Sequence, residues 1–191
     1  MRMLRWFVLT LCVWLYGCDV DNQYGSPYEC NFIFYTSYHT SSALTLALTN
    51  PGTFVTVESS FQNGIYHLKM KVNNGQEEDL PITTAKETRI NYNSMGANRR
   101  LIIGCSLANG MKAYDGQCSN CLIQYGGVRY PLEWIQNGQK LQCSRCKRIY
   151  DLNTEGVPVE NAQKGDRALY QYIISHNGEV LHVYNGQSAS W

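Results

Sequence analysis

Between residues 65 and 72 apolar and polar side chains alternate: Tyr66, Leu68, Met70 and Val72 interleave with His67, Lys69 and Lys71. A period of two marks a strand with one face buried. Clusters of aromatic and β-branched residues at 31–35, 43–49 and 53–58 predict three further strands. Asn-Gly occurs six times, at 63–64, 74–75, 109–110, 137–138, 177–178 and 185–186. This dipeptide accepts the positive φ angles of tight hairpin turns, so its recurrence predicts antiparallel sheet. The clearest hairpin joins 169–174 to 179–184 through Ser175-His176-Asn177-Gly178. Residues 76–88, with Glu77, Glu78 and Asp79, read as a solvated loop or excursion. No pattern supports a helix longer than about two turns, and no internal repeat is visible. The expected fold class is all-β.

Composition sharpens this picture. Fourteen Tyr and sixteen Gly in 191 residues favour strands and turns over helical bundles. The length suits one domain with a sizeable core. A net charge of +1 lacks the basic surplus needed to displace counterions from phosphates, so a nucleic-acid partner is not expected. No Gly-rich phosphate loop, nucleophile elbow or H-E-x-x-H helix occurs, so an enzyme is not expected.

The N-terminus reads as an address. Arg2 and Arg5 precede an apolar run from Trp6 to Tyr16, eleven residues and too short to span a bilayer as a helix. The run ends in Leu15-Tyr16-Gly17-Cys18, which resembles a bacterial lipobox, with Cys18 the lipidated residue. The alternative is an ordinary secretory signal with a chance cysteine. On the lipobox reading, 1–17 is a signal peptide and 18–26 a polar tether. The mature chain then carries fourteen basic and fifteen acidic residues. It is held at a membrane of the cell envelope, outside the cytoplasm, by its acyl chains.

Eight cysteines demand a chemical explanation. Cys118-Ser119-Asn120-Cys121 and Cys143-Ser144-Arg145-Cys146 form two C-x-x-C pairs separated by 21 residues. A tight C-x-x-C turn brings both sulfurs to one side, and two facing turns complete a tetrahedron around a metal. Lys140, Arg145, Lys147 and Arg148 surround the second pair and can offset thiolate charge. In an oxidising compartment the same cysteines can instead form structural disulfides. Cys30 and Cys105 are either a disulfide, the pairing slightly favoured, or two buried small apolar residues.

The second pair is followed by Lys147-Arg148-Ile149-Tyr150-Asp151-Leu152-Asn153-Thr154-Glu155-Gly156. This stretch resembles the second ligand loop of the Rieske iron–sulfur domain, with its aromatic-Asp pair, Gly turn and closing hairpin. Leu101-Ile102-Ile103-Gly104 and Met111-Lys112-Ala113-Tyr114-Asp115 resemble the strand pair entering the first loop. The match covers about 98–186. More loosely, 31–36 and 50–57 resemble the first strands of Rieske-like lipoproteins of Bacteroidetes-type bacteria. The resemblance implies an antiparallel sandwich or barrel over 27–191, with a two-loop metal-binding subdomain at about 114–152. Three positions depart from the family pattern. Cys121 and Cys146 stand where Rieske domains carry histidines, and Lys147 stands where they carry Gly.

With four thiolates the site suits zinc or another single tetrahedral ion. The alternative is an all-cysteine [2Fe–2S] cluster in an electron-transfer protein. Losing both imidazoles should lower its potential from about −150 to +300 mV toward about −400 mV. Arg2 and Arg5 are not adjacent, so the twin-arginine route used by folded, cluster-loaded Rieske proteins is not indicated. A third reading, a thiol–disulfide protein, lacks the surrounding βαβ pattern. His39, His67, His176 and His182 lie outside both loops and read as surface or strand-packed, and Trp134 reads as a core residue. The expected function is a lipid-anchored binding or assembly module whose metal is structural.

Overall fold

The computed structural model describes residues 25–185, so the signal segment, Cys18 and most of the tether lie outside the described residues. Twelve strands follow one another: β1 (Asn31–Phe34), β2 (Thr53–Gln62), β3 (Ile65–Val72), β4 (Glu77–Pro81), β5 (Arg100–Ser106), β6 (Gly110–Asp115), β7 (Leu132–Ile135), β8 (Lys140–Cys143), β9 (Ile149–Asp151), β10 (Val157–Glu160), β11 (Gln171–His176) and β12 (Leu181–Tyr184). Two short helices, α1 (Ala43–Ala47) and α2 (Ser119–Tyr125), interrupt them. Eight strands form one sheet in the order β1-β12-β11-β6-β5-β2-β3-β4, and four form a second in the order β10-β9-β8-β7. All strand pairs are antiparallel, and the curled sheets make a half-barrel, an all-β fold. The chain leaves the large sheet after β6, builds the small sheet, and returns at β11.

Two cores flank the large sheet. Val55, Val57, Leu101, Ile103 and Ala113 point into the first core, with Phe32, Leu44, Leu68 and Val183. Phe54, Ile102 and Tyr114, the intervening residues, point into the second core, with Leu132, Leu141, Tyr150 and three of the C-x-x-C cysteines. Covering both faces explains the unbroken apolar run Leu101-Ile102-Ile103, since a strand buried on two sides loses its alternation. Trp134 joins the layers, donating from Nε1 to Thr56 Oγ1 at 3.0 Å.

Asn-Gly turns close the hairpins. Gln62 pairs with Ile65 across Asn63 and Gly64, whose φ angles are +50° and +84°, matching the twist of the flanking strands. Asn137-Gly138 has a second task. Asn73 Nδ2 donates to Gly138 O at 3.1 Å, and a Cβ on Gly138 would collide with the Asn73 carbonyl. Gly138→Ala should therefore separate the small sheet's hairpin from the turn after β3. The expected loss is roughly 2–3 kcal/mol of stability, combining left-handed strain with the clash. Urea unfolding with an unchanged slope measures it.

Two expectations from the sequence are corrected. Residues 43–49 do not form a strand: Ser42 Oγ caps α1 by accepting from Thr45 N at 3.2 Å, and Ala43, Leu44, Ala47 and Leu48 bury one helical face. The acidic stretch after Gln76 is an edge strand rather than a loop. In β4, Glu77 pairs with Lys71 at 3.1 Å across the ladder, where opposite charges favour pairing, and Asp79 hydrogen-bonds the His67 ring at 2.9 Å.

A candidate four-cysteine metal centre

Cys118 ends the turn after β6 and caps α2, with Cys121 in that helix's first turn. Its backbone is fixed from both sides. Cys118 N donates to Tyr130 O at 2.8 Å, and Leu122 N donates to Cys118 O at 3.0 Å. Cys143 closes β8, and the following turn is pinned by Lys147 N to Cys143 O at 2.9 Å and Cys143 N to Arg148 O at 3.0 Å. To make this turn Lys147 adopts φ +62°. The left-handed conformation that a Gly would supply is thus present without one, held by Asn161 Nδ2 donating to Lys147 O at 2.9 Å.

These two turns bring all four sulfurs within 4.8 Å of one another. The spacing is 3.7 Å from Cys118 to Cys146 and 3.7 Å from Cys121 to Cys143, two contacts that each link one loop to the other. Cys118, Cys121 and Cys143 are fully buried, and Cys146 is half-buried at the outer side. Such a group can hold a metal ion.

Thiols confined together compete for protons. Hydrogen bonding with Cys118 lowers Cys143 to about 5 against the effect of burial, with help from the N–H groups of Cys146 and Arg145. The contact with Cys143, and then burial, pushes Cys118 up. Burial raises Cys121 to about 12, with Cys146 adding to it. A cation would relieve this crowding, because positive charge favours every thiolate at once.

Around the sulfurs lies a supporting shell that the sequence did not signal. The Tyr150 hydroxyl is 3.1 Å from Cys118 Sγ and accepts from Asn120 Nδ2 at 3.0 Å, leaving its own proton for the sulfur. Burial, and then the nearby Cys118 charge, raises the phenol's pKa and keeps that proton in place. The 163–169 strap grips both loops. Ser119 Oγ donates to Ala168 O at 2.8 Å, and Asn120 exchanges hydrogen bonds with the Arg167 backbone at 2.8 and 2.9 Å. From the second loop Arg148 meets Asp166 in a bidentate pair at 2.7 and 2.8 Å. Asp166 first, and then the nearby Cys146, hold the guanidinium firmly in its charged form. Of the four cations flanking the second pair, Arg148 is the one brought to the sulfurs. Lys140 pairs with Glu160 at 2.7 Å, Arg145 lies over the Tyr125 ring at 5.1 Å, and Lys147 is exposed.

Tyr150→Phe keeps the ring in the second core and removes the hydroxyl. Loss of such an outer-shell partner should weaken metal affinity about 10- to 100-fold. Competition against a chromogenic chelator gives the number.

The remaining candidates fall elsewhere. His39, His67, His176 and His182 hydrogen-bond Glu87, Asp79, Thr36 and Asn31 at 2.8–3.0 Å, outside the cysteine group. Cys30 and Cys105 are free thiols rather than a disulfide. Cys30 lies at the Asp115 end of the large sheet, bridged to Met95. Cys105 pairs with Met111 near the other end of β5, four positions along from the Leu101–Asp115 pair. At about 3.4 Å per residue, four positions exceed the Cα separation of about 7 Å that a disulfide tolerates.

Compared with protein-family models, with curated proteins and with solved structures, the chain gives no match. The site itself therefore defines the class: an all-β protein with a four-cysteine group able to bind a metal.

Proposed function

We propose that the chain is a lipid-anchored, extracytoplasmic module of Rieske-like design whose four cysteines hold one tetrahedral metal ion, zinc, in a structural role. One observation carries the metal assignment. A tetrahedron with metal–sulfur bonds of about 2.3 Å has edges of about 3.8 Å, and the two cross-loop contacts measure 3.7 Å. Two sulfide-bridged irons would hold their cysteine pairs further apart than a single ion does, so the compact grouping favours zinc over [2Fe–2S]. Cys118, Cys121, Cys143 and Cys146 are the ligands, and Tyr150 and Arg148 temper the charge of four thiolates. Bound metal would fix the first and second loops to each other, and the rigid tip would serve as a binding or assembly surface.

The Rieske-like reading draws on the order of β5, β6, two cysteine loops and the β11–β12 hairpin, with Tyr150-Asp151 after the second loop. The membrane reading draws on Leu15-Tyr16-Gly17-Cys18. Anaerobic purification followed by elemental analysis tests the metal assignment. A colourless protein with about one zinc per chain is expected, given a site of four ligands. A brown-red protein bleached by dithionite would replace this reading with the electron carrier. For the anchor, Cys18→Ser should move the protein from the membrane to the soluble fraction.

A further inference from the structure

Cross-loop sulfur contacts also define what happens when the centre meets an oxidant. Three of the four sulfurs are sealed from solvent, while Cys146 is partly open and lies in a turn whose Ser144, Arg145 and Lys147 are exposed. An oxidant therefore reaches Cys146 first. Cys118 of the other loop lies 3.7 Å from it, and Cys121 and Cys143 repeat the same spacing inside. Closing 3.7 Å to the roughly 2.05 Å of a disulfide needs a shift that an exposed turn can make.

We propose that Cys146 is a peroxide-modification site, with Cys118 the resolving thiol, and that their disulfide opens the metal centre. This rests on the four-cysteine zinc reading. The Cys146 thiolate attacks one oxygen of hydrogen peroxide, breaking the O–O bond to give a Cys146 sulfenic acid and hydroxide. The Cys118 thiolate then attacks that sulfur, forming the S–S bond and expelling a second hydroxide. Two thiolates are oxidised by two electrons and one peroxide is reduced to two hydroxides. Half of the ligand set is consumed, so the ion is released, and a second peroxide can join Cys121 to Cys143. Oxidation thereby exchanges a metal staple between the loops for covalent ones, and the connection between loops survives.

Zinc-loaded full-length chain, assayed for metal at the outset, is treated with one equivalent of hydrogen peroxide. Released zinc is read with a chromogenic chelator, and disulfides are mapped by differential alkylation and peptide mass spectrometry. The expected result is zinc release at least tenfold faster than without peroxide, one ion per disulfide, with the first bond joining Cys118 to Cys146. A first bond within either C-x-x-C, or zinc retained with all four thiols intact after several equivalents, would overturn the inference. Starting metal far below one zinc per chain would instead overturn the zinc reading itself.

Discussion

With zinc held as proposed, Cys143→Ser is expected to empty the four-cysteine site and melt the small sheet while the large sheet stays folded. Serine nearly matches cysteine in volume, so little packing is lost and the effect reports ligation. Cys143 is fully buried in the second core and closes β8, the strand that holds β7 and β9 together. Structural zinc contributes on the order of 10–16 kcal/mol of binding free energy to small sites, more than the whole stability of many domains. The first core, built on Phe32, Leu44, Val55, Leu101 and Val183, contains none of the four ligands. Calorimetry should therefore show an early transition for the small sheet and a later one for the large sheet. Chelation of the wild-type protein should reproduce the pattern. A variant that retains full metal content and an unchanged melting profile would remove Cys143 from the ligand set.

Raising the pH from 4 to 8 should cost the wild-type fold on the order of 4 kcal/mol at a single carboxyl group, Asp115. Asp115 is completely buried at the end of β6, just before the first cysteine loop. It accepts from Ala97 N at 2.8 Å, Gln117 N at 2.8 Å and the Tyr172 hydroxyl at 2.7 Å. Burial outweighs these three donors and lifts its pKa from 3.8 to about 7. The fold thus prefers the protonated acid. Stabilisation is complete below the unfolded value of 3.8 and lost as pH rises through about 7. Asp166 and Glu155, held low by Arg148 and Lys112, act in the opposite direction and lose stabilisation as pH falls. Subtracting an Asp115→Asn variant isolates the Asp115 contribution. Wild-type stability minus variant stability, from denaturant unfolding at each pH, should decline steadily across this window. A flat difference would place the Asp115 carboxyl at an ordinary pKa.

How much of this was written in the sequence depends on the range of the interaction. Turns and their hairpins were legible, because Asn63-Gly64 and Asn177-Gly178 act on their immediate neighbours. The cysteine group was legible for the same reason: each C-x-x-C converges locally, and two such pairs in one chain invite a shared ion. Residues 43–49 misled because Leu, Thr and Ala fit either state, and the deciding signal was the Ser42 cap. The acidic run of β4 looked solvated because its justification is Lys71 and His67 on the neighbouring strand. The supporting shell was beyond reach. Asn120 and Ser119 look like spacers between ligands until 163–169 folds back over them, and Asp166 gains meaning only from Arg148, eighteen residues earlier. Tyr150 was visible only as half of an aromatic-Asp pair, with nothing in one dimension to aim its hydroxyl at Cys118.

X-ray absorption at the metal edge of the purified, full-length protein tests the central proposal most directly. Four sulfur scatterers at about 2.3 Å with no second metal in the next shell are expected for one ion held by Cys118, Cys121, Cys143 and Cys146. Fewer than four sulfurs, nitrogen or oxygen in their place, or a short metal–metal vector would contradict it.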